Sequence, residues 1–469
     1  MSKIKCIIFN EEYFRRAFLF NALFYSFYFY TPKCGTVTSA FFAVWGFLIV
    51  SKKLLLREVN LKDKRFLFLA SFLAVMLIST VINIPHSTFD NLKTIINTFL
   101  VLFFLFFISG KQSWEKNRQA LMYIVFTYSL LMSAASTFMY FSNITLGLYT
   151  DRYCGLYSSP VMSGIIAFCG IIATIWTFLG KSKKKSYKII LCVVNIALQY
   201  FILCISNTRS TLISAAIFGG LFGGFLLFFK SNSENIFIKG LVGVGTCLIV
   251  ALPLIGGASL VRSAAYKINS YMNSTRLEQS SFSKNVEESD VLLASIDVNL
   301  AEEQSEAEPV FIPVEPYELD RTKTGESNQI RWNLIVTGVK VFLRNPLVGV
   351  SPRYSHEVAQ TIGTAEKINI EGIKGGGFHN SYIEILAGTG VLGGLVIGIF
   401  LLNELIKYFK IIVKEKRKSE VIRKILLFSA IISSLILFVF ESLLTFSVST
   451  IASFFWVLFG YLSFENGEV

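Results

Sequence analysis

Long apolar runs set the rhythm of this chain. They fall near residues 14–30, 36–51, 66–84, 91–109, 119–141, 161–179, 189–206, 210–229, 240–260, 380–404, 425–443 and 446–463. A bilayer core is crossed by about 20 apolar helical residues. The pattern therefore predicts an all-α, polytopic membrane protein with about 12 transmembrane helices, the first two rather short. Nine runs precede a long polar segment and three follow it. The expected division is 1–260 (helices 1–9), 261–379 (a large loop between helices 9 and 10) and 380–469 (helices 10–12).

The intervening segments predict orientation. With the N-terminus inside, the inner segments hold 28 Lys and Arg, whereas the short outer ones hold only Lys33, Lys93, Arg152 and Arg209. The positive-inside rule then puts both termini in the cytoplasm and the large loop outside. This asymmetry also accounts for the net charge of +13 without a nucleic-acid partner. The first apolar run lacks a small-residue cleavage site and reads as an anchor. Of seven cysteines, none forms a C-x-x-C pair and none lies in the large loop, so neither a disulfide framework nor a metal framework is expected. No inner segment has room for a nucleotide domain, and no P-loop or dinucleotide fingerprint occurs.

Within the loop, Glu287–Asp320 carries eleven acidic residues and neither Lys nor Arg, so 285–320 reads as solvated and partly disordered. Residues 330–344 have helical character, are too polar to span, and end at Asn345-Pro346. They read as an interfacial helix with Trp332 at the boundary. Gly390-x-x-x-Gly394-x-x-x-Gly398 and the pair Gly219/Gly223 read as small-residue faces for close helix packing.

Candidate chemistry gathers at Gly375-Gly-Gly-Phe-His-Asn-Ser-Tyr-Ile-Glu384. Ser381-x-x-Glu384 reads as a capping box, with Ser381 as N-cap and Asn380 just before it. That places His379 outside a helix N-terminus, where the macrodipole favours anions. A neutral imidazole beside an anion site can act as general base toward a hydroxyl. Four arginines share that side: Arg152, Arg209, Arg331 and Arg344. Arg209 sits in a turn so tight that partial burial, and hence a partner, is expected. Guanidinium forks suit phosphate oxygens. Glu441, near the outer end of its helix, is expected to pair with one of them. His86 and His356 read as isolated structural residues. Outer carboxylates are too few for a metal site. The set fits a lipid diphosphate as leaving group and a sugar hydroxyl as nucleophile.

Several segments carry a family likeness. They are His379-Asn380-x-x-x-x-x-Leu386-x-Gly388-x-x-x-x-Gly393 after a large outer loop, Arg331-x-x-Leu with Asn345-Pro346-Leu-x-Gly349, Ser206-Asn-Thr-Arg-Ser-Thr-Leu212, and Arg152-Tyr-Cys-Gly155. The chain resembles the O-antigen ligase and Wzy-polymerase superfamily over roughly 150–405. The resemblance implies a metal-independent, inverting glycosyltransferase of the bacterial cytoplasmic (inner) membrane, without a cofactor. Its donor would be a glycan on undecaprenyl diphosphate, used at the outer leaflet of the bilayer. His379 matches the base, Arg209 and Arg331 the diphosphate-binding arginines, and Arg152 more weakly. Asn380, Glu384, Glu441 and Arg344 are supporting candidates. The acceptor would be a growing glycan for a polymerase, or a lipid core or protein for a ligase. A flippase and a chain-length regulator are implied partners. Phe-, Ile- and Lys-rich usage points to an AT-rich coding sequence, whose family members often serve capsule or exopolysaccharide, which favours the polymerase. A lipid-linked-glycan flippase or other transporter is the rival class, disfavoured because charges cluster at the outer edge and not at mid-membrane.

Overall fold

In a computed structural model the described residues are 9–57, 63–84, 86–106, 111–142, 144, 148–149, 152–180, 186–230, 236–287, 324–370, 373, 377–415 and 417–466. They form an all-α bundle. In order the helices are α1 (Glu11–Phe24), α2 (Pro32–Leu55), α3 (Lys64–Ile82), α4 (Thr88–Phe106), α5 (Lys111–Phe141), α6 (Pro160–Phe178), α7 (Ser186–Ile205), α8 (Arg209–Lys230), α9 (Ile236–Glu287), α10 (Thr324–Arg344), α11 (Tyr354–Glu366), α12 (Ser381–Lys414), α13 (Lys418–Leu437) and α14 (Thr450–Asn466). A two-residue hairpin, β1 (Leu148–Tyr149) with β2 (Arg152–Tyr153), lies between α5 and α6.

Helix α14 is the hub. Every residue from Thr450 to Ser463 is buried, including Phe454, Phe455, Trp456, Phe459 and Tyr461. A helix apolar on all sides needs neighbours on all sides, and α1, α4, α6, α12 and α13 supply them. The outer helices do the opposite. On α2 and α9 the residues Phe41, Val44, Phe47, Leu241, Val244, Ile249, Leu252 and Leu260 are exposed. So broad an apolar surface suits lipid, not water. Among the described residues, eight helices are long and apolar enough to cross a membrane. The chain is thus a multi-pass membrane protein. Eight of the twelve expected runs fall on these helices. The other four fall on α1, α4, α13 and the short apolar α14. The acidic stretch, from residue 288 onward, lies outside the described residues.

Buried polar residues tie the α5–α7 layer together. Gln199 Nε2 donates to Ser129 O (3.0 Å) and to Asn195 Oδ1 (2.6 Å), and Asn195 Nδ2 donates to Thr174 Oγ1 (2.7 Å). Such bonds act as glue between helices whose apolar faces have no preference over lipid.

Helix α12 contains a break that organises one end of the bundle. Gly390 has φ +63°, and the chain after α10 docks there. Val391 N–H donates to Pro346 O (2.8 Å), Leu392 N–H to Leu347 O (3.2 Å), and Val350 N–H to Ala387 O (2.9 Å). Non-helical backbone inside a membrane bundle needs such partners. A Cβ on Gly390 would stand 2.3 Å from Leu347 O. The Gly390/Gly394/Gly398 series is therefore not one packing face. Gly390 serves the break, Gly394 faces Leu386 of its own helix, and Gly398 has open space. Likewise the crowded pair on α8 is Gly220 and Gly224, against Cys247 and Gly243, one position on from Gly219 and Gly223.

Candidate active site

The loop before α12 is held in an unusual backbone conformation. Both Gly377 (φ +64°) and His379 (φ +50°) are left-handed. Outside glycine this costs on the order of 1–3 kcal/mol and is commonest where function requires it. The N-cap of α12 is Asn380, not Ser381. Its backbone is extended, and Oδ1 accepts from the N–H groups of Tyr382 (3.0 Å) and Ile383 (3.1 Å). Glu384 is not half of a capping box either, because its carboxylate turns elsewhere.

With the cap supplied by Asn380, Ser381 is free to clamp a second segment. Residues 438–449, between α13 and α14, are non-helical, so Glu441 is not on a helix as the apolar pattern implied. Ser381 Oγ donates to Glu441 O (2.6 Å) and accepts from Leu443 N–H (2.9 Å) and Leu444 N–H (3.1 Å). Ser381 N–H donates to Phe438 O (2.9 Å), and Asn380 N–H to Ser442 Oγ (3.0 Å). Adjacent residues of one helix start thus fix both His379 and Glu441.

The Glu441 carboxylate, 3% exposed as a residue, is where the candidates meet. Its Oε2 lies 3.6 Å from His379 Nδ1, and its Oε1 lies 3.9 Å from Arg331 Nη2. Ser210 Oγ, in the first turn of α8, donates to Oε1 at 3.1 Å. His379 Nδ1 is buried and makes no hydrogen bond. At 3.6 Å the contact is electrostatic, beyond a true hydrogen bond. The sequence expectation of an arginine partner for Glu441 is met by Arg331, on α10.

Arg209 opens α8 beside Ser210, but it is exposed, contrary to the expected partly buried turn. The small residues around it, Ser206, Thr208 and Ser210, occupy the buried positions instead. Arg152, on β2, is half-buried. The segment it begins leads to α6, whose first residue, Pro160, accepts from Thr208 Oγ1 at 2.9 Å. Arg344 ends α10 and is exposed, thirteen residues or about 20 Å along the axis from Arg331. The structure does not bring it to the cluster.

A second buried pair lies behind the loop. His356, on α11, was expected to be isolated. Its Nε2 instead meets Glu384 Oε1, while Glu384 Oε2 accepts from Phe378 N–H at 3.0 Å. The His356 ring also packs edge-on against Phe378, at 5.7 Å between centroids. A Cβ on Gly377 would come within 2.6 Å of Glu384 Oε2, so the close approach requires glycine. No local signal in the sequence links His356 to Glu384, 28 positions on. His86 stacks on Tyr354, with centroids 4.3 Å apart.

Among the described residues no three His, Cys, Asp or Glu side chains cluster as metal ligands. What the cluster offers is a ring nitrogen facing a buried carboxylate, with a guanidinium on the other oxygen. That arrangement can hold an imidazole in one tautomer and stabilise its protonated form. No curated protein matches the chain. Residues 194–398, which include Arg209, Arg331, His356, His379 and Glu384, match the protein-family model Wzy_C, described as O-antigen ligase.

Proposed function

We propose that the protein polymerises a cell-surface polysaccharide. It transfers glycan from undecaprenyl diphosphate to a sugar hydroxyl of the acceptor, at the outer leaflet of the bacterial cytoplasmic membrane. Both termini lie in the cytoplasm in this reading, as the positive-inside asymmetry supports. The observation that carries it is the meeting of His379 and Arg331 on Glu441, with the first turn of α8 bonded to the same carboxylate.

In the proposed step, His379 Nε2 takes the proton of the acceptor hydroxyl while Nδ1–H faces Glu441. The hydroxyl oxygen bonds to the anomeric carbon from the face opposite the leaving group. The anomeric C–O bond breaks, and its electron pair leaves with undecaprenyl diphosphate. Arg331 and Arg209 offset the charge on the departing diphosphate, with Arg152 in a secondary role. Glu441 stabilises the imidazolium. Asn380 and Glu384 hold the loop. A flippase that delivers the donor and a chain-length regulator are the partners of such a polymerase.

The family description favours a second reading, transfer of a finished glycan to a lipid core or a protein. Purified protein supplied with lipid-linked repeat units alone separates the two. A ladder of products supports the polymerase. Donor consumed only after a lipid core or protein is added supports the ligase. Lipid transfer across the bilayer without any new glycosidic bond would remove both.

A further inference from the structure

A polar cavity of about 380 Å³ opens between α4 and α11. Its volume lies within the range of small-ligand sites, ~300–1,000 Å³. It is at the His379 end of the bundle. There Arg353 N–H donates to Asn91 Oδ1 (2.8 Å), and Ser79 Oγ donates to Gly388 O (3.0 Å), joining this region to α12.

The walls are chemically mixed. Two carboxylates (Asp90, Glu357), two cations (Lys93, Arg353) and two amides (Asn97, Gln360) face the space, and no aliphatic side chain does. Ser87 bonds Glu357, and Arg353 Nε donates to Thr94 Oγ1 at 3.3 Å. The side chains of Asp90 and Lys93 are exposed and those of Asn97 and Gln360 half-buried, so all four lining groups are open to a ligand. An acyl chain would desolvate these groups without return. A diphosphate would meet as many anions as cations. Sugar hydroxyls, each both donor and acceptor, satisfy donors and acceptors alike.

We infer that this cavity is a carbohydrate subsite that holds hydroxyl-rich units of the acceptor chain. Calling the ligand the acceptor rests on the glycan-transfer reading; binding of carbohydrate does not. His356 forms one wall, contacts Phe378, and through Glu384 fixes the Phe378 N–H. The cavity thus backs onto the loop that carries the candidate base, and sugars bound there are held next to it.

The test uses the full-length protein in nanodiscs. The probe is neutral oligosaccharide released from the producing cell's surface polysaccharide, free of lipid and phosphate. Calorimetry should show binding, weakened about tenfold in each of Asp90→Ala, Asn97→Ala and Gln360→Ala, as expected for one lost hydrogen bond. Pyrophosphate binding should be the same in all three as in wild type. No binding by the wild-type protein, or wild-type affinity in all three variants, overturns the subsite. In turnover assays the same variants should raise the acceptor KM and leave the donor KM unchanged; a rise in donor KM alone also overturns it. Failure of the wild-type protein to transfer glycan would sink the transfer reading while leaving the calorimetric comparison to decide the subsite.

Discussion

His379 Nδ1 lies 3.6 Å from Glu441 Oε2, although the two residues are 62 positions apart and on separate segments. Both atoms belong to buried parts of their side chains, so the carboxylate acts in a low dielectric where its field on the ring is strong. Glu441→Gln keeps the shape and removes the charge. It should lower the turnover number by roughly 10- to 1,000-fold through the base, and should also shift donor KM, because Arg331 loses the carboxylate it faces. Steady-state kinetics on lipid-linked donor checks this.

Replacing His379 by Ala removes the proton acceptor. Chain extension should fall by about 10²–10⁴-fold, the usual contribution of a general base. Circular dichroism and size-exclusion profiles should match wild type. Full-length polymer made by this variant would refute the assignment.

Charge alone and a planar fork predict different outcomes at the arginines. Arg331→Lys and Arg209→Lys should retain more donor affinity than the alanine variants, yet less than wild type, since an ammonium cannot bind phosphate in bidentate fashion. Arg344→Ala, at the far end of α10, should leave donor KM unchanged. Direct binding of undecaprenyl diphosphate measures both.

Ser381→Ala should act on stability before chemistry. It leaves the Leu444 N–H without its partner, while the Leu443 N–H and the Glu441 carbonyl keep only their 3.0 Å bond to each other. Each orphaned buried group costs about 1–3 kcal/mol. Thermal melting in detergent should shift downward, whereas Ser381→Thr, which keeps the hydroxyl, should recover part of the loss.

Two glycines of α12 separate a required conformation from a dispensable one. Gly390→Ala places a Cβ 2.3 Å from Leu347 O at φ +63° and should sharply reduce the yield of folded protein. Gly398→Ala meets nothing within 4 Å and should be neutral, or stabilising by about 0.5–1 kcal/mol. Fluorescence-detected size exclusion of the two variants gives the comparison.

The one-dimensional pattern determined the membrane class. A run of about 20 apolar residues has few alternatives to a spanning helix, and Pro or Gly-rich breaks end it locally. It also singled out His379 and four arginines, Arg209 foremost, because a polar residue near the end of an apolar run is legible without neighbours; that Arg331 and not the exposed Arg209 meets Glu441 was not legible. Glu441 was visible only as a carboxylate in need of a partner. Its position as the shared contact depends on Ser381 clamping a non-helical segment, 438–449, that hydropathy reads as the end of one helix and the start of the next. The pairing of His356 with Glu384 and the cavity between α4 and α11 left no trace in spacing at all. Such contacts are decided when distant helices pack, since a hydrogen bond fixes atoms in space and is indifferent to the number of residues between them.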